Sequence, residues 1–454
     1  MPLTSLVARA VGVNRCQVGI LTRGMPTSSI RRRFEFHLWP GIGVRGFCIS
    51  LKKGRMALTL LEFDPFEDTL RDNPYPTYRR YREAGSVHPG RTGQPGRLGE
   101  TWYVFDYRVC VEGLKSPQFG RAGLYDHQRA NTTEPSVLDS ILLIDPPDHT
   151  RLRRLVSLAF TPRAVERALP RLEVLAHEVV DELAGRPTWD VIGDFAFPFP
   201  VTVISDLLGV PIEDRRQIRQ WSRALTAGID VTQDPETYRQ ARDANQAFRI
   251  YLRDILRQRR TQPQDDLLTA LIQAQEAGDR LSEDELITMV TLLVVAGHET
   301  TVNLIGNGLW ALWQHPAQWD HVRSAGLTEI GVDELLRYDS SVQATSRLAL
   351  SPVEMGDAVI PVGSVAIFLL GAANHDPTVF VDPDDLNLAR MPNRHLAFGG
   401  GIHTCLGSAL ARAEGRVAIN TLFRRYPHLH LQEDAPTWRP GLAFRGLESV
   451  QATT

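Results

Sequence analysis

The stretch that most constrains this chain lies near its C-terminus, at residues 395–414, HLAFGGGIHTCLGSALARAE. It holds one cysteine, Cys405, preceded by the glycine run Gly399, Gly400 and Gly401. Residues without Cβ atoms permit a tight loop that ordinary side chains would block. After the cysteine the pattern becomes helical: Leu410, Val417, Leu422 and Phe423 recur at helical spacing between about 406 and 426, Arg412 and Arg416 fall on the other side, and Pro427 stops the run. Cys405 is therefore expected at a helix N-terminus, where unpaired N–H groups and the positive end of the helix dipole lower a thiol's pKa and favour the metal-binding thiolate. The residues alone leave a second reading open, a buried cysteine packed as a small apolar side chain.

Phe398-Gly-Gly-Gly-Ile-His403-Thr-Cys405-Leu-Gly407 resembles the haem-binding loop of the cytochrome P450 superfamily, in which Phe, two Gly, a basic residue, Cys and a final Gly stand at these spacings. The resemblance implies that Cys405 is the axial thiolate of a haem iron, with Phe398, Gly399, His403 and Gly407 packed about the cofactor, heme b.

The 454 residues, 43% hydrophobic and 23% charged, are enough for one large domain or two ordinary ones. Cys16, Cys48, Cys110 and Cys405 show no C-x-x-C or paired spacing, which argues against a disulfide framework or a zinc cluster and suits a reducing, cytoplasmic compartment. No run of 18 apolar residues occurs; the longest candidate, 287–297, is too short to span a bilayer. A net charge of -3 carries no footprint of nucleic-acid binding.

Residues 1–55 stand apart, with ten Lys or Arg against one acidic residue, Glu35; from 56 onward 40 basic face 52 acidic residues. The segment has no helical or strand period and reads as a weakly ordered extension, with translation starting at Met56. Its Arg-rich, acid-poor composition is that of a transit peptide, but a clean amphipathic face is missing.

From Met56 the chain is regular. Pro76 sets up a helix through Tyr78 and Arg82, Trp102-Tyr-Val-Phe reads as a strand, and a helix follows near 107–114. Residues 117–140 are polar and aperiodic, a lid-like loop. In Asp145-Pro-Pro-Asp-His149-Thr-Arg-Leu-Arg153 the prolines and Asp148 start a helix that sets His149 and Arg153 four apart on one face, as for an anion. Helical patterns continue at about 164–183, 197–208, 213–228, 235–260 and 265–277, with a connection over 225–238.

Ser282-Glu-Asp-Glu285 is a capping box that opens a helix running to 315. Its apolar middle, 289–297, is expected to be buried, and it leads into the polar run His298, Glu299, Thr300 and Thr301. Buried polar groups need partners, and Gly297 costs about 1 kcal/mol against Ala in a helix. Thr hydroxyls bonding back one turn would meet that need locally. Further on, Glu334 and Arg337 stand i, i+3 on a helix, and strand-like runs cover 343–350, 358–360 and 365–370.

Within the resembled superfamily each of these takes a role. Ala296-Gly297-His298-Glu299-Thr300 looks like its oxygen-activation segment, with Ala296 and Gly297 leaving room over the iron and the Glu299–Thr300 pair delivering protons. His149, Arg153 and Arg347 match haem-propionate ligands, Glu334 and Arg337 its buried structural pair, and 225–238 its mobile lid. One departure concerns the loop before the cysteine: where relatives carry Arg then Phe, this chain has Asp385 and Leu386, so Arg390 is the candidate third partner of Glu334 and Arg337.

The resemblance covers about 60–450 and is strongest to soluble bacterial members. It implies a mainly α fold, a triangular prism of helices with a smaller β-rich part and haem between the long helix and the Cys loop. It further implies a haem-thiolate monooxygenase that inserts one oxygen atom from O₂ into a lipophilic small molecule, by hydroxylation or epoxidation, in natural-product biosynthesis. Electrons would come from a ferredoxin and its NAD(P)H-dependent reductase, steered by basic residues such as Arg151, Arg154, Arg412 and Arg416. A monomer is expected. The alternatives are a peroxide-using or coupling variant, which Glu299 and Thr300 argue against, and a haem-based ligand or gas sensor, for which no signalling module is visible. Pocket positions by order in the chain are Val294, Val295, Ala296, Val342 and Phe444.

Overall fold

Capping chemistry decides where the helices begin. The computed structural model describes residues 61–91, 100–124, 126, 139–157, 160–229, 234–264, 266–276, 281–432 and 436–454, and four short strands before them. Asp106 caps α1 (Tyr107–Lys115), Thr161 caps α2 (Pro162–Asp181) and Asp234 caps α3 (Pro235–Thr261), each side chain accepting from the first-turn N–H groups. Ser282 caps α4 (Glu283–Trp313): its hydroxyl accepts from the Glu285 N–H at 3.1 Å, and the Glu285 carboxylate accepts from the Ser282 N–H at 2.7 Å. That is the reciprocal box anticipated from the sequence.

Helix α4, with 31 residues, is roughly 45 Å long at about 1.5 Å per residue and forms the axis of the molecule. Packed against it are α3, the helices Pro198–Leu208 and Arg215–Ala227, and the helices Glu329–Tyr338 and Ser408–Arg425. Val302, Ile305, Leu309 and Leu312 are wholly buried there, each such side chain contributing about 1.5–3 kcal/mol of transfer free energy. Two stretches, Val191–Leu208 and Glu283–Trp313, are long and apolar enough to cross a bilayer, but 72% and 83% of them are buried inside the protein, as core elements are. The apolar run 287–297 thus understated the length of the apolar helix.

The main sheet has five strands: β1 (Val87–Gly90), β2 (Thr101–Val104), β3 (Phe119–Gly120), β4 (Ala344–Ala349) and β5 (Val365–Leu369), in the spatial order β1-β2-β5-β4-β3. Every residue of β5 is buried, as a continuous apolar run between two neighbours predicts. Its register sets Ala366 opposite Arg347 of β4. A three-stranded sheet of Thr188–Asp190, Gln451–Thr453 and His430–Leu431 joins the C-terminus to the π-helical turn Val191–Ala196. That turn and the helix Pro316–Ala325 were not foreseen from periodicity. Of the basic N-terminal segment only strand pairs are described, among them Phe47–Lys52 with Arg55–Leu60, where Leu51 faces Met56; the rest of the expected extension, and most of the loop 117–140, lie outside the described residues.

Behind the Cys loop, Glu334 is fully buried and accepts from Arg337 through two bonds of 2.8 Å and from Arg390 Nε at 3.0 and 3.1 Å. Arg390 supplies the third partner in place of the side chain absent at Asp385. Arg390→Leu leaves Glu334 with one guanidinium fewer, and breaking a buried pair costs about 3–5 kcal/mol. A fall of that order in unfolding free energy is expected in denaturant titrations; a loss under about 1 kcal/mol would show that Arg337 alone neutralises the carboxylate.

Burial also pushes the His298 imidazole below its usual 6.5; its Nδ1 donates to the Val294 carbonyl and its Nε2 has no hydrogen-bond partner, so the ring is neutral in the fold. An unfolded chain takes up that proton in acid. The stability held by the neutral ring is therefore complete above about pH 6.5 and is lost as pH falls below it, by up to about 1.4 kcal/mol per unit. Urea midpoints should drop between about pH 6.5 and about pH 5.5, and His298→Gln should flatten that slope; an unchanged slope would mean that His298 titrates normally in the fold.

Candidate active site

Glycine geometry shapes the loop ahead of Cys405. Gly399 and Gly401 take left-handed φ values of 68° and 70°, and a Cβ on Gly401 would stand 2.2 Å from the Leu114 carbonyl oxygen of α1. The Cys405 N–H donates to the Phe398 carbonyl at 2.9 Å, closing the turn. The following helix, α5 (Ser408–Arg425), has its N-cap at Gly407, so Cys405 precedes the helix end rather than occupying it. Its side chain opens into an interior cavity of about 310 Å³. Burial in this apolar setting pushes the Cys405 thiol above its usual value, and the Gly407 N–H, Arg153 and Arg412 offset that only in part. Desolvation thus opposes the nearby N–H dipoles at the sulfur. A coordinated metal cation removes the proton from such a ligand.

The wall beside the loop is cationic. Arg347 and Arg121 are 4% and 7% exposed, and each disfavours the other's charge; burial first and then Arg121 hold the Arg347 guanidinium well below its usual range. Asp145 is the carboxylate nearby, and it already accepts from the Arg121 and Ala122 N–H groups. Arg121 donates to the Leu142 carbonyl at 2.7 Å and to the Thr345 hydroxyl. Arg153 donates to the Thr404 carbonyl at 2.6 Å, next to Cys405. His149 is buried with both ring nitrogens lacking partners, and its ring lies 4.5 Å from that of His403. Burial, then Arg121 and Arg347, push His403 down to about 2.

Buried like charges and orphaned imidazole nitrogens are unfavourable unless an anion meets them. Haem, with two carboxylates and an iron, fits these residues. Gly399 and Gly407 line the same cavity, and a Cβ on either would meet no protein atom within 4 Å, which leaves room for such a group beside the sulfur.

Across the cavity, Leu293, Ala296, Gly297, Thr300 and Leu304 of α4 present one helical face. Val294 does not belong to it. The residue is rotated into the core, 1% exposed, with its carbonyl accepting from His298 Nδ1 at 2.7 Å, and is withdrawn as a pocket residue. Val295, Val342 and Phe444 do line the cavity, the last two as bridge partners. The Thr300 hydroxyl donates to the Ala296 carbonyl at 2.8 Å, which keeps its lone pairs available to accept. Glu299 is 3% exposed; one oxygen is paired with the Arg439 guanidinium, while Oε2 accepts no hydrogen bond and stands 3.8 Å from His298 Nε2.

Three site residues escaped the sequence reading. Arg121 had no motif to mark it. Arg439 stands 140 positions after Glu299 and is joined to it only by the fold. Glu414 lines the cavity from α5, and burial holds its carboxyl well above the usual range, so it is neutral; an acid on the buried face of an amphipathic helix was the available signal.

The family model described as Cytochrome P450 matches residues 125–325 and 317–442. Cytochrome P450 107B1 of Saccharopolyspora erythraea is 41% identical over 399 residues, covering 85% of this chain and 96% of the relative. The biotin biosynthesis cytochrome P450 of Bacillus subtilis is 38% identical, covering 84% of this chain and 96% of the relative. Among solved structures, the bacillaene polyketide synthase cytochrome P450 PksS of Bacillus subtilis 168 superposes with a TM-score of 0.78 at 36% identity, over 86% of this chain and 99% of that one. With the cysteine loop, the cationic wall and the long helix disposed as described, the chain belongs to the cytochrome P450 family, has that family's fold and haem cofactor, and is a P450 monooxygenase.

Proposed function

We propose that the enzyme inserts one oxygen atom from O₂ into a neutral or weakly polar lipophilic molecule, by hydroxylation or epoxidation, in natural-product biosynthesis. The observation that carries this reading is that Cys405, Glu299 and Thr300 open into one largely apolar cavity. Bound haem supplies the oxygen chemistry, with the thiolate favouring O–O cleavage. Its carboxylates would be held by Arg121, Arg153, Arg347, His149 and His403. Glu299, fixed by Arg439 through one oxygen, lines the cavity next to Thr300 and would pass protons to it. Relatives whose names refer to biotin, polyketide and vitamin D(3) chemistry support a lipophilic substrate.

A ferredoxin with an NAD(P)H-dependent reductase is the proposed electron source, acting in the cytoplasm on a monomeric enzyme. Of the basic residues suggested to steer it, Arg412 is paired with Asp333 at 2.6 Å and Arg151 with Glu285, which leaves less free charge than their number suggests. Residues 1–55 are proposed to be dispensable: the chain from Met56 should take up haem as fully as the full-length chain, and a loss of haem content on truncation would refute this.

Cys405→Ser should abolish the thiolate band of the reduced carbon monoxide complex; a retained band would assign the ligand to another cysteine. Thr300→Ala should leave haem content intact while cutting product formed per NADPH consumed by about 10-fold or more, with free hydrogen peroxide released instead. Glu299→Gln should slow NADPH consumption itself. An unchanged product ratio in Thr300→Ala would mean that the hydroxyl serves only to cap the Ala296 carbonyl.

A further inference from the structure

Most hydroxyls on the helices around the cavity are satisfied one turn back. Thr291 donates to the Ile287 carbonyl at 2.8 Å, Thr301 to Gly297 at 3.1 Å, Thr202 to Pro198 at 2.7 Å, and Ser340 to Leu336 at 2.7 Å. Among the described residues, two buried cavity-lining hydroxyls are not. Ser341 and Thr226 are 4% and 8% exposed, both line the cavity, and neither Oγ of Ser341 nor Oγ1 of Thr226 has a partner. They come from different walls. Thr226 lies in the last turn of the helix Arg215–Ala227, and Ser341 in the segment that leads into β4, beside Val342 and Phe444.

A buried hydroxyl left unpaired is costly. Charge narrows what can fill the gap. Among the described residues lining the cavity, the guanidiniums belong to Arg121 and Arg153, both at the haem end with His403, while the charged group facing the α4 side is the carboxylate of Glu299. An anionic ligand there would meet two hydroxyls and the Glu299–Arg439 pair, whose guanidinium is already engaged. A hydroxyl, by contrast, can accept from or donate to either Ser341 or Thr226, and a carbonyl can accept from either, at no charge cost.

Resting on the reading of this cavity as the monooxygenase's substrate pocket, we propose that Ser341 and Thr226 are its specificity-determining polar anchors, and that the substrate is an uncharged lipophilic molecule held by a hydroxyl or carbonyl oxygen remote from the reacting carbon. Neither a free carboxylate nor a bare hydrocarbon meets these anchors.

The test uses matched twelve-carbon probes on haem-loaded enzyme: cyclododecane against cyclododecanone, and dodecane against 1-dodecanol and dodecanoic acid. Dissociation constants are read by calorimetry, and the reduced carbon monoxide band is recorded on each preparation. The oxygenated neutral probes should bind about 10-fold more tightly than the hydrocarbons, since one well-made hydrogen bond is worth about that factor. Ser341→Ala and Thr226→Val should each reduce the preference and together erase it, with hydrocarbon affinity unchanged; Thr226→Ser should keep it. Ligand-free Ser341→Ala should melt no lower than the parent, because it removes an unsatisfied group. A preference that survives the double variant, or dodecanoic acid binding more tightly than 1-dodecanol in the parent enzyme, would overturn the proposal. Loss of the thiolate band in the parent would instead refute the haem-site reading, and calorimetry would still report the oxygen preference.

Discussion

A fully buried carboxylate, Glu334, organises the half of the protein that presents the cysteine. It takes bonds from Arg337, from Arg390, from the Asn387 N–H at 2.9 Å and from Asn393 Nδ2 at 3.1 Å. Taking such charges out of water is expensive, and only a complete set of partners with good geometry offsets it. The two guanidiniums in turn donate to main-chain carbonyls: Arg337 to Asn374, Pro383 and Asp385, and Arg390 to Val381, Asp382 and Asp385. One acid thereby ties together the long meandering segment beneath the haem loop. Asn374 continues the path, accepting from the Leu396 N–H at 2.6 Å and so fixing the chain just before Phe398.

The cationic wall works by a different balance. Its arginines keep their charge at the expense of crowding, whereas His149 and His403 give theirs up, pushed to the neutral form by burial. Neutral imidazoles can still donate one N–H each, so the wall gathers hydrogen-bond donors without gathering further positive charge. Cys405 follows the same logic with the opposite sign of cofactor: the fold holds a thiol ready, and the metal decides its charge.

How far the sequence could be read depended on whether a feature was local. The Ser282 box, the glycines before Cys405 and the apolar period of α4 act over a turn or two, and their geometry emerged as expected. Val294 failed because the pocket was placed along α4 by position in the chain, whereas a helix turns about 100° per residue and carries it to the core. Arg439 and Arg121 act on partners far away in the chain, and nothing local marks them.

The contact at Asp385 carries a consequence for how such chains diverge. Arg337 and Arg390 both reach its carbonyl oxygen, and that atom is common to all twenty amino acids. What holds the clamp is the path of the main chain, so the identity of the side chain at 385 is left to drift, and a lineage can exchange it without disturbing the residues that shape the metal pocket.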